Sequence, residues 1–318
     1  MKIQFLVIPV AMMFSLGANA DLQGYTKQMK NGGSVSFVKN RAMTALEFSQ
    51  APYQSKPDPS WLERNFPLSK QERLNITAAD LDLMTQEELD QLYIRSPAGP
   101  ILSAQYQGSV LVKDGIIQNA KNLILKDSKI VNTMERFCRR FGKSDLIECL
   151  SEVAWKGKKI YPRNADGLVE LRNAVSAPVA EAAKYALLPF FQTLNPSNWL
   201  VQNTEMFGLL PKYMMFPAKV YCGQSLIDHR RESIVIDYSW GDRFTPFIRG
   251  IDDLAGRGFF NIRDEIRMIR PGLYLGRAYT NKIFLLNFVL SNSTQLATFT
   301  TATAPMSEGQ CFSGKLTR

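Results

Sequence analysis

Histidine is nearly absent from this chain of 318 residues, which has His229 alone, in the charged stretch LIDHRRE. Protein zinc sites draw several ligands from histidine and cysteine at short, regular spacing, and the sequence has no such spacing. A G-x-S-x-G elbow, a P-loop, a glycine-rich dinucleotide fingerprint and an EF-hand loop are also missing. We therefore predict no metal and no cofactor, and assign no catalytic residue. We expect His229 to be a surface turn residue. The alternative is that His229 serves as the base of a hydrolase.

Cysteine is scarce as well, with four residues and no C-x-x-C motif. In an oxidising compartment an even number favours disulfides, and four cysteines allow three pairings. We predict Cys138–Cys149, which brackets a break between two helical pieces. We also predict Cys222–Cys311, which would tie the C-terminal tail to a strand end. A thiol enzyme is the alternative.

Long apolar runs are limited to the N-terminus, where Lys2 precedes the apolar segment 3–17 and the small-x-small motif Ala18-Asn19-Ala20. This layout is typical of a secretory signal peptide, and the run is shorter than the ~20 residues of a membrane span. We predict a signal peptide at 1–20 and an exported protein, periplasmic or secreted. A membrane anchor is the alternative.

Acidic residues are fewer than basic residues, and the formal net charge is +9. Removal of residues 1–20, which contain one lysine and no acid, leaves +8. Such a charge favours anionic partners, among them an anionic membrane surface, and it also serves simple solubility. The basic clusters WKGKK and FCRRFGK are too short for the coherent stripe that nucleic-acid binding requires, so we predict no nucleic-acid partner.

The chain divides into an N-terminal extension at 21–98 and a barrel domain at 99–318. Residues 21–74 are polar and contain several prolines, so we expect them to wrap over the core without regular structure. Thr77 and Thr85, each followed three residues later by an acid, predict two short helices. Helical spacing and an Ala/Leu/Phe-rich composition predict helical insertions at 116–150 and 170–212.

Strands are predicted at SAQYQGSVLV, EVAWKGKKIY and SIVIDYSW, and dominate after Phe216. In SIVIDYSW the two-residue period places Ile234, Ile236, Tyr238 and Trp240 on one face. The strand IFLLNFVL is apolar on both faces and needs cover on both, from the barrel interior and from the helical insertion near 177–210. An exposed lipid-contacting face is the alternative. Because the late strands follow one another without crossover helices, we predict an α+β fold with an antiparallel barrel.

A hairpin is predicted at IRDEIRMIRPGLYLGRAY, with Pro271-Gly272 at its turn. The resulting register groups Asp264, Arg277 and Tyr279 at one end of an apolar face and leaves the opposite face to solvent. A carboxylate and a guanidinium on an apolar face must pair, because an unpaired buried charge costs several kcal/mol. We expect the cluster to be buried, either as a structural bridge or as a polar anchor for a ligand.

The order AQYQGSVLV, EVAWKGKKI, SLID…ESIVIDYS and IRDEIRMIRPGLYLGRAY resembles the lipocalin-like (calycin-type) small barrels, above all the GXWXG-type domains of unknown function. The resemblance spans about half of the mature chain, and Tyr106 stands where that family favours tryptophan. The matching positions are Gly108, Trp155, Gly157, Lys158, Asp237, Tyr238, Asp264, Arg267 and Gly276. The resemblance implies a lipocalin-like β-barrel with an apolar cavity and implies no particular reaction.

Together these features predict an exported protein that binds a hydrophobic or amphiphilic, lipid-like small molecule inside the barrel. The alternatives are an enzyme, hydrolase or isomerase, acting on a lipid-like substrate in the same cavity, and an envelope interaction protein. The predicted ligand-binding residues are Asp264, Arg277, Tyr279, Tyr238, Trp240 and Trp155.

Overall fold

The computed structural model describes residues 22–40, 58–111, 155–176 and 204–298, together with Arg136, Arg139, Gly142 and Cys311. The predicted signal peptide, the Cys138–Cys149 pair and most of the two predicted insertions lie outside these residues. Within the described ranges, no helix has both the length and the apolar character needed to cross a membrane.

The strands of the described ranges are β1 (Leu22–Gln28), β2 (Ser34–Asn40), β3 (Ala104–Leu111), β4 (Trp155–Ile160), β5 (Val169–Val175), β6 (Thr204–Phe207), β7 (Leu210–Gln224), β8 (Glu232–Asp237), β9 (Ile262–Arg270), β10 (Leu273–Thr280) and β11 (Ile283–Ser291). Eight of them, β3 to β5 and β7 to β11, form a closed antiparallel barrel. Each barrel strand pairs with the next along the chain, and β11 pairs back onto β3. The predicted barrel is confirmed, and its connectivity is an up-and-down meander.

The helices within residues 22–40, 58–111, 155–176 and 204–298 are α1 (Pro59–Asn65), α2 (Lys70–Asn75), α3 (Ala78–Asp82), α4 (Gln86–Arg95) and α5 (Ser293–Thr298). Thr77 and Thr85 cap α3 and α4 through complete capping boxes with Asp80 and Glu88, which confirms the two predicted helices. The expectation that 21–74 lacks regular structure is wrong. This stretch holds the β1–β2 hairpin and two helices, because Val35, Phe37 and Leu62 bury apolar side chains in the core beneath them.

Helix α4 is buried on all sides, between the β1–β2 hairpin and the outer wall of the barrel. On one side Gln91 bonds both the N–H and the C=O of Val38 in β2, at 3.0 and 2.6 Å. On the other side the Tyr93 hydroxyl donates to Ser233 of β8 at 3.0 Å, and Asp90 forms an ion pair with Arg277 of β10. The N-terminal extension is therefore a layer of the fold that packs on β8, β9 and β10.

Part of the segment assigned to a second helical insertion is strand. Residues 170–175 belong to β5, and 204–207 and 210–212 belong to β6 and β7, while 177–203 lie outside the described residues. The side chains of Val169 and Leu171 alternate into the interior of the barrel, which is the period of a strand. The outer face of β11 is covered, as predicted, but by the N-terminal layer, where Val289 packs with Leu89 and its neighbours.

The predicted Cys222–Cys311 disulfide is present. It joins the end of β7 to the C-terminal tail, and Cys311 lies buried with the interior residues of the barrel. The bond therefore fixes the tail to the barrel wall.

Candidate functional site

The barrel encloses an apolar interior, and aromatic rings fill much of it. The ring of Tyr106 packs edge-on against Tyr274, and Trp155 packs edge-on against Phe288, with centroids 5.5 and 5.6 Å apart. Aliphatic side chains from several barrel strands complete this apolar cluster, among them Leu171, Val220, Ile236, Ile266 and Leu290. The segment 97–102 covers one end, since the hydroxyls of Tyr106 and Tyr274 donate to its carbonyls.

One polar cluster interrupts this interior, and we call it the lumen cluster: Lys158 of β4, Asn173 of β5, Tyr238 directly after β8, and Asp264 of β9. The Lys158 ammonium donates to Asn173 Oδ1 at 2.8 Å, to the Tyr238 hydroxyl at 2.6 Å and to Asp264 Oδ2 at 2.9 Å. Tyr238 in turn donates to Asp264 Oδ2 at 3.1 Å. The four side chains are buried.

A break in the regular pleat of β4 brings Lys158 and Trp155 to the same side. The register shifts between Trp155 and Gly157, and Gly157 has a φ of +138°, which is open to glycine and strained for other residues. A Cβ atom at Gly157 would also collide with the carbonyl oxygen of Tyr106. The Trp155 indole therefore reaches the interior, where its N–H donates to Asn173 Oδ1 at 3.0 Å.

Glycines make room for the rings beside the lumen cluster. A Cβ atom at Gly108 would collide with the Trp155 indole, and one at Gly276 would collide with the Phe288 ring. The Lys158 ammonium lies 5.4 Å from the centroid of Trp155 and 5.2 Å from that of Phe288, within the range of cation–π attraction.

Burial and the neighbouring negative charge have opposite effects on the pKa of Lys158. Burial lowers the pKa of Lys158, and the adjacent Asp264 carboxylate opposes that change. Burial and the same carboxylate raise the pKa of Tyr238 well above its usual value. All three N–H bonds of the ammonium are used within the cluster. Asp264 has unused hydrogen-bonding capacity, since its Oδ1 accepts no hydrogen bond from the described residues.

Three of the six predicted ligand-binding residues lie in the interior and are brought together there: Asp264, Tyr238 and Trp155. Arg277 and Tyr279 do not join them, and the predicted Asp264–Arg277 pairing is wrong. A register shift next to the turn, between Leu273 and Tyr274, pairs Arg277 with Glu265 and places Ala278 opposite Asp264. Both charged residues are buried, as expected, but on opposite sides of the barrel wall.

The outer face that was predicted to meet solvent is also buried. Glu265 and Arg267 are 0% exposed beneath the N-terminal layer. Arg267 donates to Ser233 at 3.0 Å and to the carbonyl of Tyr93 at 3.2 Å. Arg277 donates to Tyr279 at 2.9 Å as well as to Asp90. This face is therefore a polar interface between α4 and the barrel.

Trp240 lies outside the barrel interior. Strand β8 ends at Asp237, whose side chain accepts from the Ser239 N–H at 2.9 Å and starts a 3-10 turn over Tyr238–Arg243. The two-residue period stops there, so Trp240 is half-buried among cationic side chains while Ile234 and Ile236 face the interior.

The side chains of His229 and Ser225, the candidates for a hydrolytic site, do not lie together. His229 is exposed in the turn between β7 and β8, and the Ser225 hydroxyl is buried and donates to Glu265 at 2.9 Å. Among the described residues, one trio of potential metal ligands lies close together, namely Cys222, Glu232 and Cys311. Its two sulfur atoms are bonded to each other and offer no thiolate.

Sequence patterns did not indicate Lys158 and Asn173 as residues of the lumen cluster. Strict alternation in WKGKKI places Trp155 and Lys158 on opposite faces, and the second predicted insertion covered Asn173. The glycine inside that strand was the available signal, since glycine in a strand often marks a bulge.

Comparisons with protein-family models, curated proteins and solved structures gave no match to this chain. The lipocalin-like resemblance stays a prediction.

Proposed function

We propose that this protein is an exported carrier that binds a hydrophobic or amphiphilic small molecule inside the barrel. The observation that carries the proposal is the lumen cluster, whose polar groups lie together in the apolar interior formed by the described barrel strands. An eight-stranded barrel of this kind is wide enough either to be filled by side chains or to hold one small ligand. Apolar sites with a few convergent polar groups are typical of ligand binding.

The free bonding capacity of the lumen cluster defines the polar end of the ligand. Lys158 has no N–H left to offer, whereas Asp264 Oδ1 can still accept. A hydroxyl or an amine would donate to that oxygen, while a carboxylate would place a second negative charge beside it. The proposed ligand is therefore an apolar molecule with a donor group, such as a long-chain alcohol. We propose that the ligand enters at the barrel end opposite the 97–102 segment.

Native mass spectrometry of the purified protein is the first test. We expect a small-molecule adduct that organic solvent extracts, and a chain mass that lacks residues 1–20. A protein that carries no adduct, and that binds neither an apolar fluorophore such as N-phenyl-1-naphthylamine nor dodecanol, would refute the carrier.

A competition experiment tests the role of the lumen cluster. After delipidation, dodecanol should displace the fluorophore at roughly tenfold lower concentration than dodecanoate, since a hydrogen bond to a charged group contributes about 1.5–3 kcal/mol. The double variant Lys158→Met/Asp264→Leu should keep binding the fluorophore and lose this preference. An unchanged preference in that variant would show that the cluster has no part in recognition.

An enzyme acting in the same interior is the second candidate. The observation in its favour is the Lys158 amine, with its lowered pKa, 2.6 Å from the Tyr238 hydroxyl. Buried lysines of this kind serve as bases in enzymes. Turnover of lipid-like esters or isomers by the wild type, lost in Lys158→Met and retained in His229→Ala, would favour the enzyme over the carrier.

A further inference from the structure

Three loops meet at the barrel end where β8 and β10 finish and β9 and β11 begin. The Ser239 hydroxyl donates to Asn261 Oδ1 at 2.6 Å, and the Asn261 amide donates to Asn281 Oδ1 at 2.7 Å. Asn261 thereby ties the 3-10 turn after β8 to the loop before β9 and to the β10–β11 turn. We call the surface formed by residues 238–243, 255–261 and 281–283, with Lys219, the Trp240 face.

Three cations converge on one indole ring in this face. Arg243 Cζ lies 4.2 Å from the Trp240 ring centroid, Arg257 Cζ 4.8 Å and Lys219 Nζ 5.1 Å. The three charges are therefore closer together than the ~10 Å Debye length at 0.1 M salt, and they repel one another. Among the described residues, no acid forms an ion pair with any of the three.

The neighbouring acids are engaged elsewhere or turned to solvent. Asp237 accepts from the Ser239 N–H at 2.9 Å and from the Tyr221 hydroxyl at 3.0 Å. Asp253 accepts from the Gly250 N–H at 2.7 Å, and Asp242 is exposed. The convergence of positive charge on Trp240 is therefore suited to an external anion.

Apolar side chains stand beside these cations on the same face. Phe259 is 41% exposed and follows Arg257 by two residues, and Ile283 is 42% exposed next to the exposed Lys282. Arginine and lysine beside exposed aromatic and aliphatic groups form the composition of surfaces that enter the head-group region of a bilayer. A free phosphate ion would need the cations alone.

We propose that the Trp240 face docks on the surface of an anionic phospholipid bilayer. Lipid phosphate oxygens accept hydrogen bonds from Arg243, Arg257 and Lys219, while Trp240 and Phe259 enter the boundary between head groups and acyl chains. Each arginine or lysine near an anionic surface contributes about 1 kcal/mol, and aromatic rings favour this depth. The docking does not depend on a ligand in the lumen.

Co-sedimentation of the full protein with vesicles tests the charge component. We expect binding to vesicles of equal parts phosphatidylglycerol and phosphatidylcholine, decreasing with salt, and little binding to phosphatidylcholine alone. Arg243→Ala/Arg257→Ala should weaken binding roughly 30-fold, the equivalent of two such contributions. The matched control is Arg64→Ala/Arg163→Ala, which removes the same charge from exposed residues outside the face and should bind as the wild type does.

A second pair of variants separates a bilayer from a phosphate ion. Phe259→Ala should weaken vesicle binding several-fold, whereas Leu209→Ala, which alters a side chain 94% exposed on the β6–β7 turn beside Gln105, should not. The proposal is overturned if the wild type ignores anionic vesicles, if both arginine pairs weaken binding equally, or if Phe259→Ala has no effect. The last result, with inorganic phosphate competing for Arg243 and Arg257, would identify a free-anion site.

Discussion

The Lys158–Asp264 pair offers the sharpest test of the interior. Replacing either residue alone, as Lys158→Met or Asp264→Leu, leaves the other charge without its partner inside the barrel. Replacing both removes the two opposite charges together and keeps a similar side-chain volume. We therefore expect each single variant to be unstable and the double variant to fold about as well as the wild type.

The structure sets the size of the effect. At 2.9 Å and an effective dielectric constant of about 20, two unit charges attract by about 6 kcal/mol, part of which offsets their desolvation. Removing one partner of a buried pair costs about 3–5 kcal/mol, and replacing both by apolar residues is often neutral or stabilising. The double-mutant cycle should give a coupling of at least about 3 kcal/mol.

The pH dependence gives the cycle an independent control. Without Asp264, the pKa of Lys158 falls further below its unfolded value, because only burial then acts on it. Between the folded and unfolded pKa values the unfolded chain binds more protons, so the free energy of unfolding increases with pH. The deficit of Asp264→Leu should therefore shrink as the pH rises, by up to about 1.4 kcal/mol per unit, whereas Lys158→Met should lack this slope.

Urea unfolding, followed by tryptophan fluorescence, measures the cycle in the wild type and three variants across pH. Additive single-variant costs, or a stable Asp264→Leu protein without a pH slope, would contradict a buried, charged Lys158. A double variant as unstable as the singles would show that Asn173 and Tyr238 cannot accommodate an apolar replacement.

Three further outcomes follow from the packing. Arg277→Met should cost about 3–5 kcal/mol in urea unfolding, because it removes the guanidinium that balances the charge of the buried Asp90 carboxylate, and adding Asp90→Leu should restore most of the loss; a silent single variant would contradict this. Gly276→Ala should cost about 1–3 kcal/mol, since its Cβ meets the Phe288 ring, and a rise in thermal stability would show that the ring can move. Replacing Cys222 and Cys311 by alanine opens a loop with a sequence separation of 89 and should cost about 4.5 kcal/mol by the chain-entropy relation; calorimetry that finds no loss would contradict that relation here.

The two-residue period predicted the interior residues of regular strands. Ile234, Ile236 and Tyr238 face the lumen, as do Asp264 and Ile266. The period failed where the strands are irregular. The register shift beside the 271–272 turn places Arg277 and Tyr279 on the outer face of the barrel wall. The break at Gly157 places Lys158 on the inner face. One extra residue in a strand inverts every side chain beyond it, and the sequence carries only a weak signal for its position.

The cover over the outer face could not be inferred from local patterns. Glu265 and Arg267 have the composition of a solvent face, and their burial depends on partners that are distant in the chain, such as Tyr93 and Ser233. The capping signals at Thr77 and Thr85 located the helices but not the surface on which they pack. Local propensity determines where a helix forms, whereas the surface on which that helix packs depends on contacts between residues that are distant in the sequence.

The seam between β3 and β11 has a consequence for how the chain acquires its structure. Leu111 there pairs with Asn287, so the barrel cannot close until β11 has been synthesised. Contacts of such long range slow folding, because the entropy of the intervening loop is lost before the pairing compensates for it. Until that moment the exposed edge of β3 is open to pairing with another chain, and we expect this strand to be where misassembly begins.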